Sequence, residues 1–237
     1  MAANVKNIIV GAAQIYMSTA SGSNRPTTVP GAGDLAWGSQ KAAGYLNTGS
    51  KWRDLGYTTA GLEVSYEPGY GEVMVDQLLD AARLFKQTIK VMLKTELTEA
   101  TLENIHVVFG QADSYTVYSG STGSTSTTLT STPANSTATL KLASGALGDA
   151  PVERSLVIVG NAPGTIGGVD VSAVTSLPGK ERVYVARRVV QVETTSHALK
   201  RDTATVFPVQ FRCLPDDADA YDGAEYGVIV DRVYNSL

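Results

Sequence analysis

Few side chains in this sequence have the type and spacing that chemistry needs. Two histidines occur, His106 and His197, whereas nucleophilic catalysis usually sets a base, most often histidine, beside the nucleophile. His106 falls beside an apolar stripe, and His197 ends the polar run Thr194-Thr195-Ser196-His197. Neither has Cys, His, Asp or Glu at metal-ligand spacing, so no zinc site is expected. The single cysteine, Cys213, stands in Phe211-Arg212-Cys213-Leu214 and reads as a small hydrophobe in a strand. One cysteine permits no internal disulfide. The glycine run Gly160 to Gly168 lacks the Lys-Ser/Thr ending and the following helix of a phosphate-binding loop. Asp216-Asp217-Ala218-Asp219 lacks the twelve-residue pattern of a calcium loop and reads as a solvated acidic turn. The expectation is no catalytic residue, no cofactor and no metal.

One constellation has a physical use. Glu63 and Glu67 lie on the polar side of the strictly alternating run Leu62 to Glu67, and Glu72 and Asp76 on the polar side of Glu72 to Asp76. Pro68-Gly69-Tyr70-Gly71 has turn composition. A hairpin bent there would set four carboxylates on one face. Such a row can pair across strands with Lys90 and Lys94 of a third strand. It can also form an acidic wall along a channel, repelling phosphates so that a polyanion passes without sticking. A hydrolase using two of the four as an acid–base pair fits less well, since the row is regular and lies on an open face without a cleft.

The elements that must position these residues are mostly strands. Alternating or apolar runs occur at 8–17, 62–67, 72–76, 88–97, 137–142, 155–159, 182–195 and 205–214. One helix is expected, capped by Thr98, about three turns long, with Leu102, Ile105 and Phe109 as its apolar stripe and Gly110 as its end. No βαβ rhythm appears, so an antiparallel β-sandwich or open barrel with one flanking helix is the expected class. At 237 residues with 43% hydrophobic residues, the chain can bury a sizeable core as one domain. Its net charge of −4 argues against a nucleic-acid-gripping surface. The start of the sequence lacks a signal-peptide pattern, and no run is long enough for a membrane span. Two stretches stand apart. Residues 18–56 have little periodicity yet hold both tryptophans, and read as an arm packing on a neighbouring subunit through Leu35, Trp37, Tyr45 and Trp52. Residues 119–135 are rich in Ser and Thr and read as a flexible insertion.

Several of these segments, in order, resemble a known family. They are Asn7 to Met17, Trp52-Arg53-Asp54-Leu55-Gly56-Tyr57-Thr58-Thr59-Ala60-Gly61, the acidic stretch ending Val75-Asp76-Gln77, Thr88 to Leu97 leading into Thr98-Glu99-Ala100-Thr101-Leu102-Glu103-Asn104, and Phe207 to Asp216. Together they are similar to tail tube proteins of long-tailed bacteriophages. The resemblance implies a β-sandwich or barrel-like subunit that forms rings, six to a ring, stacked into a hollow tube. It implies as partners the chain itself, the tape-measure protein, and the tail terminator and distal tail proteins. DNA would pass through the lumen without specific binding, with Glu63, Glu67, Glu72 and Asp76 as lumen-facing candidates. The location implied is the virion tail, assembled in the host cytoplasm. The competing expectation is a non-enzymatic β-sandwich binding module, on a virion surface or for carbohydrate.

Overall fold

The structure, a computed structural model, describes residues 7–9, 11, 13–19, 25–26, 52–77, 79–110, 115–118, 125–126, 137–140, 142, 146–166, 169–171, 180–199, 201–202 and 204–233. Its strands are β1 (Gln14–Ser18), β2 (Trp52–Asp54), β3 (Thr58–Val73), β4 (Arg83–Leu97), β5 (Tyr115–Tyr118), β6 (Thr125–Ser126), β7 (Thr137–Leu140), β8 (Arg154–Asn161), β9 (Thr165–Ile166), β10 (Val169–Asp170), β11 (Lys180–Gln191), β12 (Phe207–Cys213) and β13 (Gly227–Val233). Helix α1 (Leu102–Val108) follows β4. The fold is mainly β, as the alternation implies. Eight strands pair antiparallel in one open, sandwich-like sheet of order β2-β1-β8-β11-β12-β4-β3, with β13 also on β11.

The sheet divides at β11. Lys180–Ala186 pairs with β13 and Val189–Gln191 with β12, and the β8 register shifts between Ala186 and Val189. A β-bulge bends a strand and sharpens its twist. Beyond this one, β12, β4 and β3 fold over so that Leu93, Leu97, Phe207, Val209 and Phe211 meet Ile15, Met17, Leu156 and Ile158 in one core. The alternate residues of the same strands, Tyr16, Val157, Val159, Val183 and Val185, form a second cluster with Trp52. Period-two alternation thus places β1, β8 and β11 between two apolar layers.

The bulge also collects charge. The Arg187 carbonyl accepts from Ser155 Oγ (2.8 Å) and Arg25 Nε (3.0 Å). Arg188 grips the Glu153 carboxylate with both Nε (2.8 Å) and Nη2 (2.6 Å). Arg25 Nη2 reaches Asp216 (3.0 Å), and its Nη1 stands 3.6 Å from Glu153. Arg188 holds the Glu153 carboxyl below its ordinary range, while Glu153 raises the Arg188 guanidinium. The C-terminal strand is keyed to β11 by two cross-strand pairs, Arg182 with Asp231 (2.6 Å) and Glu181 with Arg232. Gly227 starts that strand at φ 147°, and a Cβ there would sit 1.9 Å from the Val185 carbonyl oxygen. A larger residue does not fit without displacing β13.

Three expectations are corrected. Residues 68–71 are not a turn, because β3 continues through them, paired with β4 as far as Val73 opposite Arg83. Proline is tolerated on an edge strand, and the Phe85 ring lies over Gly71, where a Cβ would come within 2.5 Å of it. The helix is shorter than expected and is capped by Thr101, whose side chain accepts from Asn104 N (3.2 Å). Thr98 instead donates its hydroxyl to the Tyr57 carbonyl (2.8 Å). The stretch 18–56 is not wholly irregular, since β2 pairs with β1 inside it. In the Ser/Thr-rich stretch, Thr125 and Ser126 pair with β5. Its other residues lie outside the described ones.

Candidate assembly surface

The β3–β4 hairpin leaves the body of the protein. β12 covers β4 only from Val91 to Leu97. From Arg83 to Lys90, β4 has β3 as its single strand partner among the described residues, and β3 has β4 alone along its whole length. At about 3.3 Å per residue, the sixteen residues of β3 span roughly 50 Å. Among the described residues, the distal part of the hairpin is therefore a two-stranded ribbon with both edges open. Such a ribbon is marginal in water by itself.

Antiparallel register decides what each ribbon face carries. Directly opposed residues share a face, so Val64 and Leu93, Tyr66 and Val91, Pro68 and Ile89, Tyr70 and Lys86, and Glu72 and Leu84 lie together. The other face carries Glu63 with Lys94, Glu67 with Lys90, Gly71 with Phe85, and Val73 with Arg83. The first face begins in the core at Leu93 and runs out into solvent, where Tyr66 is 56%, Tyr70 59% and Leu84 59% exposed. Val73, Met74, Val75, Leu79 and Phe85 are also exposed near the tip. Lys86 Nζ lies 5.5 Å from the Tyr66 ring centroid, and the Tyr66 hydroxyl raises the lysine's pKa through a hydrogen bond.

The expected carboxylate row does not form as one face. Glu63 and Glu67 lie together opposite Lys94 and Lys90, the cross-strand arrangement weighed from sequence. Glu72 falls on the other face because β3 runs straight through the supposed turn, and Asp76 lies beyond the strand end. Trp52 is corrected as a subunit-contact residue: it is 6% exposed, packed with Tyr16 and Val157 in the chain's own second cluster. Leu35, Trp37 and Tyr45 lie outside the described residues. The exposed Tyr66, Tyr70, Leu84 and Phe85 escaped the sequence reading. Their signal was an aromatic on the supposed core side of a strand too long for its core.

No protein-family model matches this chain, and no curated protein matches it. No helix among the described residues is long and apolar enough to cross a membrane. Burial pushes the Cys213 thiol up to about 12. His106 is buried in α1, and the His197 ring packs tilted against Phe207 at 4.7 Å between ring centroids, with Phe109 at 6.2 Å. Among the described residues, no group of three or more His, Cys, Asp or Glu could hold a metal ion. The feature with a use is the ribbon, an extended edge bearing apolar side chains and open backbone groups.

Proposed function

We propose that this chain is a self-associating structural protein, the subunit of a long bacteriophage tail tube, in which rings of the chain stack into a hollow cylinder. The observation that carries the reading is the β3–β4 ribbon. Its outer edge has no strand partner among the described residues, and large apolar side chains stand exposed along it. Open apolar edges template pairing with another chain unless they are blunted or covered, and a contiguous exposed apolar patch marks an interaction site. The ordered resemblance of Asn7–Met17, Trp52–Gly61, Thr88–Asn104 and Phe207–Asp216 supports the same reading. On this proposal the partners are other copies, the tape-measure protein and the proteins that end the tail. DNA passes through without sequence readout, and the protein resides in the virion tail after assembly in the host cytoplasm.

The test is negative-stain electron microscopy of the purified chain over a concentration series. Rings or stacked tubes are expected. A uniform field of monomers at every concentration, matched by a monomer mass in light scattering, would remove the proposal.

A further inference from the structure

The last strand and the connection leading into it add little to the apolar core. Within residues 214–233, no residue whose burial is described is buried, whereas β8 is buried throughout 154–159. Tyr226 and Val228 reach the two apolar clusters as half-buried neighbours. Charge ties this stretch to the body instead. The connection 214–226 carries Asp216, Asp217, Asp219, Asp222 and Glu225 and no Lys or Arg, and it meets three arginines. Arg25 donates to Asp216 (3.0 Å), and Arg188 Nη1 donates to the Pro215 carbonyl (3.1 Å). Arg187 donates to the Ala224 carbonyl, with its guanidinium 4.1 Å from the Tyr221 ring centroid. Strand β13 adds the pairs Arg182–Asp231 and Glu181–Arg232.

We propose that residues 214–233 form an acid-released strap, which lifts from the bulge and from β11 as its carboxylates are protonated while the rest of the sheet stays folded.

The groups that face one another at the bulge are Arg25, Glu153, Arg188, Asp216 and Asp217. With Glu153 and Asp216 ionised, both guanidinium groups have carboxylate partners. Protonation leaves Arg25 and Arg188 as like charges around a neutral Glu153. On β13, Asp231 faces Arg182, which also hydrogen-bonds Tyr184, and Arg232 faces Glu181. Arg188 holds the Glu153 carboxyl below its ordinary 4.5, and Arg182 holds Asp231 below its ordinary 3.8. The backbone N–H groups of Glu225 and Gly223 lower the Glu225 carboxyl, so the internal fold of the strap also prefers ionised acids. Each depressed carboxyl stabilises above its unfolded pKa and loses that contribution as pH falls through its folded value. Release therefore belongs below 4.5. The apolar packing of β1, β4, β8 and β12 carries no such dependence. Segments with few buried apolar contacts open locally, at less cost than global unfolding, so the strap goes first.

The test is amide hydrogen exchange of the full-length chain in dilute solution, from pH about 7 to about 3.5, corrected for intrinsic exchange. The amides of Asp216, Ala224 and Gly227, which donate within the connection, and those of β13 are the reporters. Their protection is expected to fall at least about tenfold further than that of β8. Glu153→Gln/Asp231→Asn is expected to show the loosened strap already at neutral pH, with β8 unchanged and the pH response flattened. Simultaneous loss of protection in 214–233 and β8 would mean global unfolding and overturns the inference. Full protection of 214–233 at pH about 3.5 overturns it too, as does a double variant that keeps the wild-type pH response. If the double variant does not fold, the wild-type series decides alone. None of these outcomes bears on the assembly proposed above.

Discussion

Asn104→Ala is expected to destabilise the fold far more than a surface substitution on a two-turn helix ordinarily does. The Asn104 side chain is 3% exposed, and its Nδ2 donates to the Leu55 carbonyl (2.9 Å) and the Glu99 carbonyl (3.0 Å). It ties α1 to the β2–β3 connection, and a seven-residue helix has little stability of its own. Each net hydrogen bond contributes about 1 kcal/mol. The Leu55 carbonyl belongs to a fully buried residue, and leaving such an acceptor unsatisfied costs about 1–3 kcal/mol. These effects overlap, so the expected loss is about 2–4 kcal/mol. Equilibrium urea unfolding followed by tryptophan fluorescence measures it. With a slope of about 2–3 kcal/mol/M, the midpoint should fall by roughly 1–2 M. Thr101→Ala, which removes the cap alone, should cost about 1 kcal/mol. A loss below about 0.5 kcal/mol for Asn104→Ala would refute the claim that this amide anchors the helix.

Acid should weaken the fold through two carboxyls. Arg188 holds Glu153 below its ordinary 4.5, and Arg182 holds Asp231 below its ordinary 3.8. A carboxyl depressed by folding stabilises above its unfolded pKa and loses that contribution as pH falls through the folded one. Stability measured by denaturant titration should thus decline below 4.5, and less steeply in Glu153→Gln/Asp231→Asn; an unchanged slope contradicts the assignment. Cys213, with its thiol raised to about 12, should resist a thiol reagent at neutral pH in the folded protein and react once when denatured; rapid native labelling would contradict its burial. Gly227→Ala should detach β13, costing more than about 2 kcal/mol through backbone strain and collision with the Val185 carbonyl. Proteolytic release of the C-terminal residues reports that loss, and wild-type resistance contradicts it.

The strands were legible where one face is buried. In Thr88 to Leu97 the apolar residues fall every second position, and Leu93 and Leu97 do face the core. Composition misleads at 68–71, because Pro and Gly mark turns yet are tolerated where a strand lies at an edge. Whether a strand lies at an edge depends on its neighbours, and alternation does not encode neighbours. That error grouped Glu72 and Asp76 with Glu63 and Glu67, whereas Glu72 lies on the opposite face and Asp76 beyond the strand end. Thr98 and Thr101 are equally good caps by type, and the contact of Thr98 with Tyr57 decided between them. The network of Arg25, Glu153, Arg188 and Asp216 joins residues as much as 191 positions apart, beyond any local pattern. Trp52 was assigned outward because its surroundings in sequence are irregular, whereas pairing of β2 with β1 turns it inward.

Hydrogen exchange along β3 puts the whole account to its sharpest trial. Amides of Leu62 to Val73 that point away from β4 are expected to exchange rapidly in dilute protein and to become protected by at least about a hundredfold once copies associate, consistent with new ladder hydrogen bonds. Protection that stays the same from the most dilute to the most concentrated sample, or assembled particles whose β3 amides remain fast, would show that no second chain completes this edge.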